Sequence, residues 1–328
     1  MRRAALPVLV LLALAAAPAG AAFGQTVPRA VVQPTSGRIT LYNDGVLRVV
    51  GRNMALTGQR WRVRGIVSPY VPGQRVQVRF TRGGRRIATL SSDVHPVRGS
   101  RDGVFTVAFK GSRVGRVIVT AAHDATPQQG AMSAGATIDV ISTSAGPGAG
   151  GLKVRFLQSR LNALGYLVPR GGRFDAATAR AVVAYKKVNG MPRNSVANPR
   201  VFFRLANGKG RFRSRFTWHG RHVEVNLKRQ VLALIYPGGQ VYKVIPISSG
   251  KPSTPTVRGS FRVFSKDLGY NSLGMLDSNY FAAGGFAIHG YHDVPTYPAS
   301  HGCVRAPVPN ARFLYNWIWY GTRVDVYR

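Results

Sequence analysis

The chain has 328 residues, 45% of them hydrophobic, and carries 46 Lys and Arg against 11 Asp and Glu, a formal net charge of +35. That length predicts two or three domains, and that apolar content excludes a broadly disordered chain. The 38 Gly and 20 Pro exclude a long helical bundle in favour of turns and short strands, while the charge predicts anionic partners.

The amino terminus has the three parts of a secretory signal peptide. Arg2 and Arg3 form the positive region, Ala5 to Ala17 an apolar run of 13 residues, and Ala19-Gly20-Ala21 a small-residue cleavage site. The run is shorter than the roughly 20 residues of a membrane span. Residues 1–22 are therefore expected to be removed, with a retained anchor as the alternative. No second long apolar run follows, so no integral span is expected after signal removal. The expected destination is the cell wall, periplasm or extracellular space. Export argues against nucleic acid as the partner, and no recognised nucleic-acid motif is present. Wall polymers, lipid head groups and acidic peptide stems are the anions expected there.

Residues 23–37 are turn-rich. Residues 38–142 read as short strands between Gly and Pro turns. Val76, Val78 and Phe80 alternate with Arg75, Gln77 and Arg79, and Phe105, Val107 and Phe109 with Val104, Thr106 and Ala108. Val117 to Ala121 is a further strand. The pattern predicts a β-sandwich, and the region resembles bacterial immunoglobulin-like wall domains. Residues 143–151 are a Gly/Pro/Ser linker.

From residue 152 the period becomes helical. Leu157, Leu161 and Leu164 share one helix face, and Gly165 stops it. Asp175 caps a second helix with Val182, Tyr185 and Val188 on its apolar side, and a third ends near Leu205. Leu157-Gln158, Leu161, Leu164-Gly165-Tyr166, Gly172, Phe174, Thr178 and Ala181-Val182 resemble the peptidoglycan-binding type 1 domain, a three-helix module, over 152–207. Tyr185-Lys186 departs from the Phe-Gln common in that family. A second linker, 207–215, leads into strands again. Val223, Val225 and Leu227 alternate with His222, Glu224 and Asn226, then Val231 to Tyr236, a Pro237-Gly238-Gly239 turn and Val241 to Ile247 form a hairpin or meander. Asn310 to Tyr320 reads as a helix stopped by Gly321. The fold class is therefore multidomain and mainly β, with a sandwich, a small three-helix module and a β-rich carboxy-terminal domain over 216–328.

The chemistry is concentrated between Ala287 and Arg305, where the single Cys lies among three of the seven His. One Cys in an exported chain forms no internal disulfide and is either an incidental, buried structural thiol or a reactive one. A thiol of pKa about 8.5 needs a base to become a nucleophile at neutral pH. Cys303 has two candidate bases, His301 two residues away and His289 fourteen away. Extended geometry would set His301 beside Cys303, and Gly302 permits a turn in which the Gly302 and Cys303 N–H groups converge as an oxyanion hole. Spacing alone leaves both histidines open.

Ile288-His289-Gly290 and Ser300-His301-Gly302-Cys303-Val304-Arg305 resemble the signature of the L,D-transpeptidase (YkuD) family. Ile247-Ser248-Ser249-Gly250, Thr254-Pro255 and Gly259 match upstream. That resemblance implies Cys303 as nucleophile, His289 as general base oriented by the Gly290 carbonyl, His301 in support, and the Gly302 and Cys303 N–H groups as the oxyanion hole. It implies Arg305, Ser300 and Tyr280 as substrate contacts, Arg305 by ordering the loop or meeting a carboxylate and Tyr280 by lining the acyl-donor pocket. Tyr291 and Thr296-Tyr297 depart from the family pattern, which bears on substrate preference. The implied reaction removes the terminal D-Ala of peptidoglycan tetrapeptide stems through a Cys303 thioester and forms 3→3 cross-links, with no cofactor or metal. Carboxypeptidase action on the same stems and non-catalytic wall binding are the alternatives. A zinc site on His289, His292, His301 and Cys303 is a rival reading. The scattered Glu224, Asp267, Asp277, Asp293 and Asp325 argue against a two-carboxylate glycosidase.

Overall fold

The computed structural model describes residues 33–328. The expected signal peptide and the turn-rich stretch up to residue 32 lie outside the described residues. Ten strands come first: β1 (Arg38–Asp44), β2 (Leu47–Val49), β3 (Arg52–Leu56), β4 (Arg60–Ser68), β5 (Arg75–Arg82), β6 (Arg85–Asp93), β7 (His95–Pro96), β8 (Gly103–Lys110), β9 (Gly115–His123) and β10 (Met132–Ile141). They form one sheet in the order β1-β4-β8-β7 and another in the order β2-β3-β10-β9-β5-β6. Trp61, Val63, Phe105 and Val107 of the first share a core with Val76, Val78, Phe80 and Val119 of the second. The expected sandwich is present because the alternation holds, with the arginine-bearing face of β5 outward.

Three helices follow, α1 (Leu152–Ala163), α2 (Ala176–Val188) and α3 (Pro199–Ala206). Leu157, Leu161 and Leu164 are buried together, as are Val182, Tyr185 and Val188 of α2. Asp175 caps α2, its carboxylate accepting the Thr178 N–H at 2.8 Å. Asn198 caps α3 in the same way, with Pro199 in the first turn.

The carboxy-terminal domain contains β11 (His222–Asn226), β12 (Val231–Tyr236), β13 (Gln240–Pro246), β14 (Gly259–Arg262), β15 (Ser265–Tyr270), β16 (Leu276–Ala282), β17 (Phe286–Tyr291), β18 (Val304–Pro307), α4 (Val308–Trp317) and β19 (Arg323–Tyr327). Its two sheets run β13-β12-β11-β19-β14 and β15-β16-β17-β18. Leu232, Leu234, Val223 and Val225 pack across to Phe281, Ile288 and Val304, with Leu314 and Trp317 of α4 closing the core. The last helix starts earlier than the sequence suggests, because Pro309 fits its first turn. It ends at Trp317 because Ile318 turns extended and buries its side chain.

The helical module does not stand apart. One continuous core joins Val49, Met54 and Leu56 of the sandwich to the three helices and to Val231, Ala233 and Ile235 of β12. β12 therefore has apolar side chains buried on both faces. Both segments that read as linkers are docked. Ala145 and Ala197 exchange backbone hydrogen bonds of 3.0 and 2.8 Å. Phe212 is buried in the shared core. Gly and Ser composition marks where helices and strands stop, and leaves docking to side chains beyond the segment. Among the described residues no helix is long and apolar enough to cross a membrane.

The polar side of β11 is buried as well. Glu224 accepts hydrogen bonds from Ser214 Oγ (2.5 Å), the Arg215 and Phe216 N–H groups (2.8 and 3.0 Å) and Tyr327 Oη (2.7 Å), and His222 Nε2 lies 3.3 Å away. Burial acts to raise its pKa, and His222 together with these donors outweighs it, holding the carboxyl at about 2. Glu224 thus fastens the 214–216 segment to the sheet. Its stabilisation is complete above the ordinary carboxylate range and is lost as pH falls toward its folded value. Glu224→Ala is expected to lower the unfolding free energy by about 3 kcal/mol in urea titrations near neutrality. The gap should narrow as the pH is brought down toward 2.

Candidate active site

β17 and β18 run parallel, with Ile288 opposite Val304 and His289 opposite Arg305. Parallel neighbours need a long crossover, here residues 292–303. Cys303 ends that crossover, immediately before β18. Its thiol is half-buried, and Sγ lies 3.4 Å from the Gly285 carbonyl. The far side of β18 is gripped by Ser248, which exchanges backbone hydrogen bonds of 3.0 and 2.9 Å with Arg305.

His289 is buried on β17. Its Nδ1 lies 2.9 Å from the Gly290 carbonyl. A carbonyl only accepts, so Nδ1 carries the proton and Nε2 is left as the base. Gly290 is required by α4: a Cβ there would come within 2.5 Å of the Ala311 Cβ. Burial pulls the His289 pKa below its ordinary value, assisted by the positive charge of Arg305 and opposed by the Gly290 bond. Burial also pushes the Cys303 thiol up, opposed by an Ala287 N–H and by Arg305. Both shifts favour the neutral thiol and the neutral imidazole.

Arg305 lies with its guanidinium 4.2 Å from the centre of the Tyr291 ring and 3.7 Å from Asp293 in the crossover. It orders the loop, and Tyr291 provides its aromatic rest. Ser300 is buried and turned to the loop itself: its Oγ accepts the Gly302 N–H at 3.1 Å and donates to the Cys303 carbonyl at 2.6 Å. Its hydroxyl is therefore a loop staple, not a surface for substrate. Of the two N–H groups expected to converge on an oxyanion, that of Gly302 is directed at Ser300. The chain bends at 301–303, so the extended alternation between residues 301 and 303 does not hold. His301 instead faces solvent with Nε2 3.3 Å from Lys251 Nζ. Tyr280 lies on β16 opposite Ala287, and its hydroxyl donates to Asp267 at 2.8 Å.

Several residues that hold the loop escaped the sequence reading. Thr256 is buried, accepts the Gly250 N–H and donates to the Gly302 carbonyl at 2.7 Å. Ser248 Oγ donates to the Tyr297 carbonyl at 2.7 Å, and Arg193 of the helical module to the Thr296 carbonyl at 2.7 Å. Thr254-Pro255 beside Thr256 was the available sequence signal, whereas the reach of Arg193 had none. At the far end of the same strands a cleft of about 340 Å³ lies between Tyr291, His292 and Pro307 on one side and Arg180 and Lys187 of α2 on the other. Lys187 is buried, donates to the Ile247 carbonyl at 2.8 Å, and is held near 7 by desolvation and by Arg193. Among the described residues, the metal-type side chains whose ligand atoms lie within 4.8 Å of one another are His219, His222 and Asp325. Each already has partners: His219 donates to Asp325, His222 to the Gly220 carbonyl, and Asp325 accepts from Ser260.

Comparison with known proteins fits this geometry. Residues 220–326 match the L,D-transpeptidase catalytic domain family (YkuD) and residues 150–205 a peptidoglycan binding domain family. A solved L,D-transpeptidase from Xylanimonas cellulosilytica is 34% identical over 56% of this chain and 98% of that one, with a TM-score of 0.53. The chain belongs to the L,D-transpeptidase family. The mutant L,D-transpeptidase of Enterococcus faecium is 28% identical over 33% of this chain and 50% of that one, at a TM-score of 0.30. An L,D-transpeptidase from Stackebrandtia nassauensis is 20% identical over 57% of this chain and 96% of that one, at 0.35. No curated protein matches the chain. The transpeptidase domain thus carries His289 on β17 and Cys303 at the end of the crossover that leads into the parallel β18, behind a peptidoglycan-binding module.

The loop itself can be tested. Gly302 has φ +123°, and a Cβ there would lie 2.8 Å from the Phe286 ring. Gly302→Ala is expected to displace Cys303 and slow acylation by a carbapenem on the order of a hundredfold, followed by intact mass, without loss of the folded state. An unchanged rate would show that the loop does not position the thiol.

Proposed function

We propose that the protein is an exported transpeptidase that acts on peptidoglycan tetrapeptide stems. The observation that carries this reading is the parallel β17–β18 pairing, which places His289 on one strand and Cys303 at the end of the crossover leading into the next, with Nε2 of His289 free to take a proton. Membership of the L,D-transpeptidase family supplies the substrate class.

In the first step the Cys303 thiol gives its proton to His289 Nε2 as sulfur attacks the carbonyl between the third stem residue and the terminal D-Ala. The Cys303 N–H stabilises the resulting oxyanion, joined by that of Gly302 once it leaves Ser300. His289 returns the proton to the departing D-Ala amine, leaving a thioester on sulfur. In the second step the side-chain amine of another stem attacks that thioester, loses a proton to His289 and frees the thiol. The product is a 3→3 cross-link. Arg305 keeps the crossover closed against Asp293 and Tyr291, and the adjoining helical module faces the wall.

Incubation of the full chain with disaccharide-tetrapeptide muropeptides, followed by mass analysis, tests this reading. The expected products are free D-Ala and a dimer lighter than two substrates by one D-Ala. Cys303→Ala should yield neither, and His289→Gln should slow the first step by about 10²–10⁴-fold. Monomeric tripeptide in place of the dimer would replace cross-linking by carboxypeptidase action. Intact substrate with folded wild-type protein would overturn the reading.

A further inference from the structure

A second cavity, of about 610 Å³, opens on the face where the helical module meets the transpeptidase sheet. Its lining includes Arg204 from the last turn of α3, Lys209, Arg211 and Arg213 from the segment after it, and Arg229 from the β11–β12 turn. Among the described residues, none of these five cations pairs with a carboxylate within 4.0 Å. Like charges facing one hollow repel one another, so their convergence calls for an anion.

The hollow is built rather than incidental. The segment bearing Lys209 and Arg211 is nailed to the module core by two buried tyrosines. Tyr166 Oη donates to the Gly210 carbonyl at 2.6 Å and Tyr185 Oη to the Lys209 carbonyl at 3.0 Å. Asn189 adds a 3.2 Å bond to the same Gly210 carbonyl, and its own carbonyl holds the Arg204 guanidinium at 2.9 Å. Tyr185 stands where the peptidoglycan-binding family commonly has Phe, and its hydroxyl is what reaches Lys209. The Nε of Arg204 is buried and, among the described residues, has no acceptor. Arginines on the sandwich differ: Arg79, Arg85 and Arg86 stand exposed on strands and have no shared hollow to converge on.

We propose that this cavity binds a ligand bearing closely spaced phosphate groups. Four of the five cations are arginines, whose planar fork matches phosphate oxygens in pairs. A single carboxylate would neutralise one cation of five, whereas phosphate concentrates negative charge and acceptors in a volume of this size. Outside the membrane such groups occur in phosphodiester wall polymers and in polyprenyl diphosphate lipids, and the cavity recognises what the two share. Binding there would hold the transpeptidase domain and its module together against a wall or lipid anion without touching Cys303.

Calorimetric titration of the full chain with inorganic pyrophosphate at low salt tests the proposal. One molecule is expected to bind per chain. The triple variant Lys209→Ala, Arg213→Ala, Arg229→Ala should weaken it by at least about tenfold. A control of equal charge, Arg79→Ala, Arg85→Ala, Arg86→Ala, should leave it unchanged, and all three proteins should form the same carbapenem adduct on Cys303. Equal loss in both variants would overturn the proposal in favour of a diffuse field. Citrate binding as tightly as pyrophosphate would overturn the choice of phosphate. Two further arms name the source: poly(glycerol phosphate), and phosphatidylcholine vesicles with or without polyprenyl diphosphate. The source is the arm whose binding is lost in the cavity variant and kept in the control. Retention of both by the cavity variant would also overturn it.

Discussion

The parallel pairing of β17 and β18 is the constraint on which the site depends. It sets His289 opposite Arg305 and therefore Cys303 two residues back, just before the neighbouring strand begins. Parallel strands demand a long return, and that return is where the chain places its staples. Ser300 ties the loop to itself, Thr256 holds the Gly302 carbonyl, and Asp293 meets Arg305. With Ser248 bonded along the other side of β18, the strand that follows the nucleophile cannot shift without breaking hydrogen bonds on two sides. Rigid placement of this kind is what a thiol needs to meet a carbonyl in a productive geometry.

The same sheet system joins the chain's three parts. β12 packs one face on the transpeptidase core and the other on the helices, so the small module gains the buried area that a chain of its size lacks alone. Arg193 extends the connection into the crossover itself through the Thr296 carbonyl. The peptidoglycan-binding module is thus both a neighbour of the catalytic loop and one of its supports.

Much of this was legible in the residues. The sandwich followed from strict alternation in β5 and β8, the helix ends from Asp175 and Gly165, and a lone Cys among His and Gly marked the crossover that leads into β18. What escaped has a common cause. Alternation in β11 marks His222 and Glu224 as a polar face, but whether that face meets water or a buried network depends on Ser214 in the preceding segment and on Tyr327, far away in sequence. Spacing left His301 and His289 both open as partners of Cys303, and the positive φ at Gly302 bends the chain so that extended alternation between residues 301 and 303 does not hold. Ser300 looked available as a hydroxyl and proved to be spent on its own loop. Composition located both connecting segments but carried no information on the side chains that pin them.

The chemical consequence of burial is a site at rest without charge separation. Desolvation lowers His289 and raises Cys303, so in the proposed reaction the thiolate would form as the carbonyl is attacked, with His289 taking the proton at that moment. A preformed thiolate–imidazolium pair would need the opposite shifts. The decisive measurement is the rate of Cys303 alkylation by iodoacetamide across pH. The account predicts a rate that climbs with a single inflection above the ordinary thiol pKa of about 8.5, with no plateau at low pH. A reactive plateau persisting down to about pH 5, abolished in His289→Gln, would reveal a standing ion pair and contradict it.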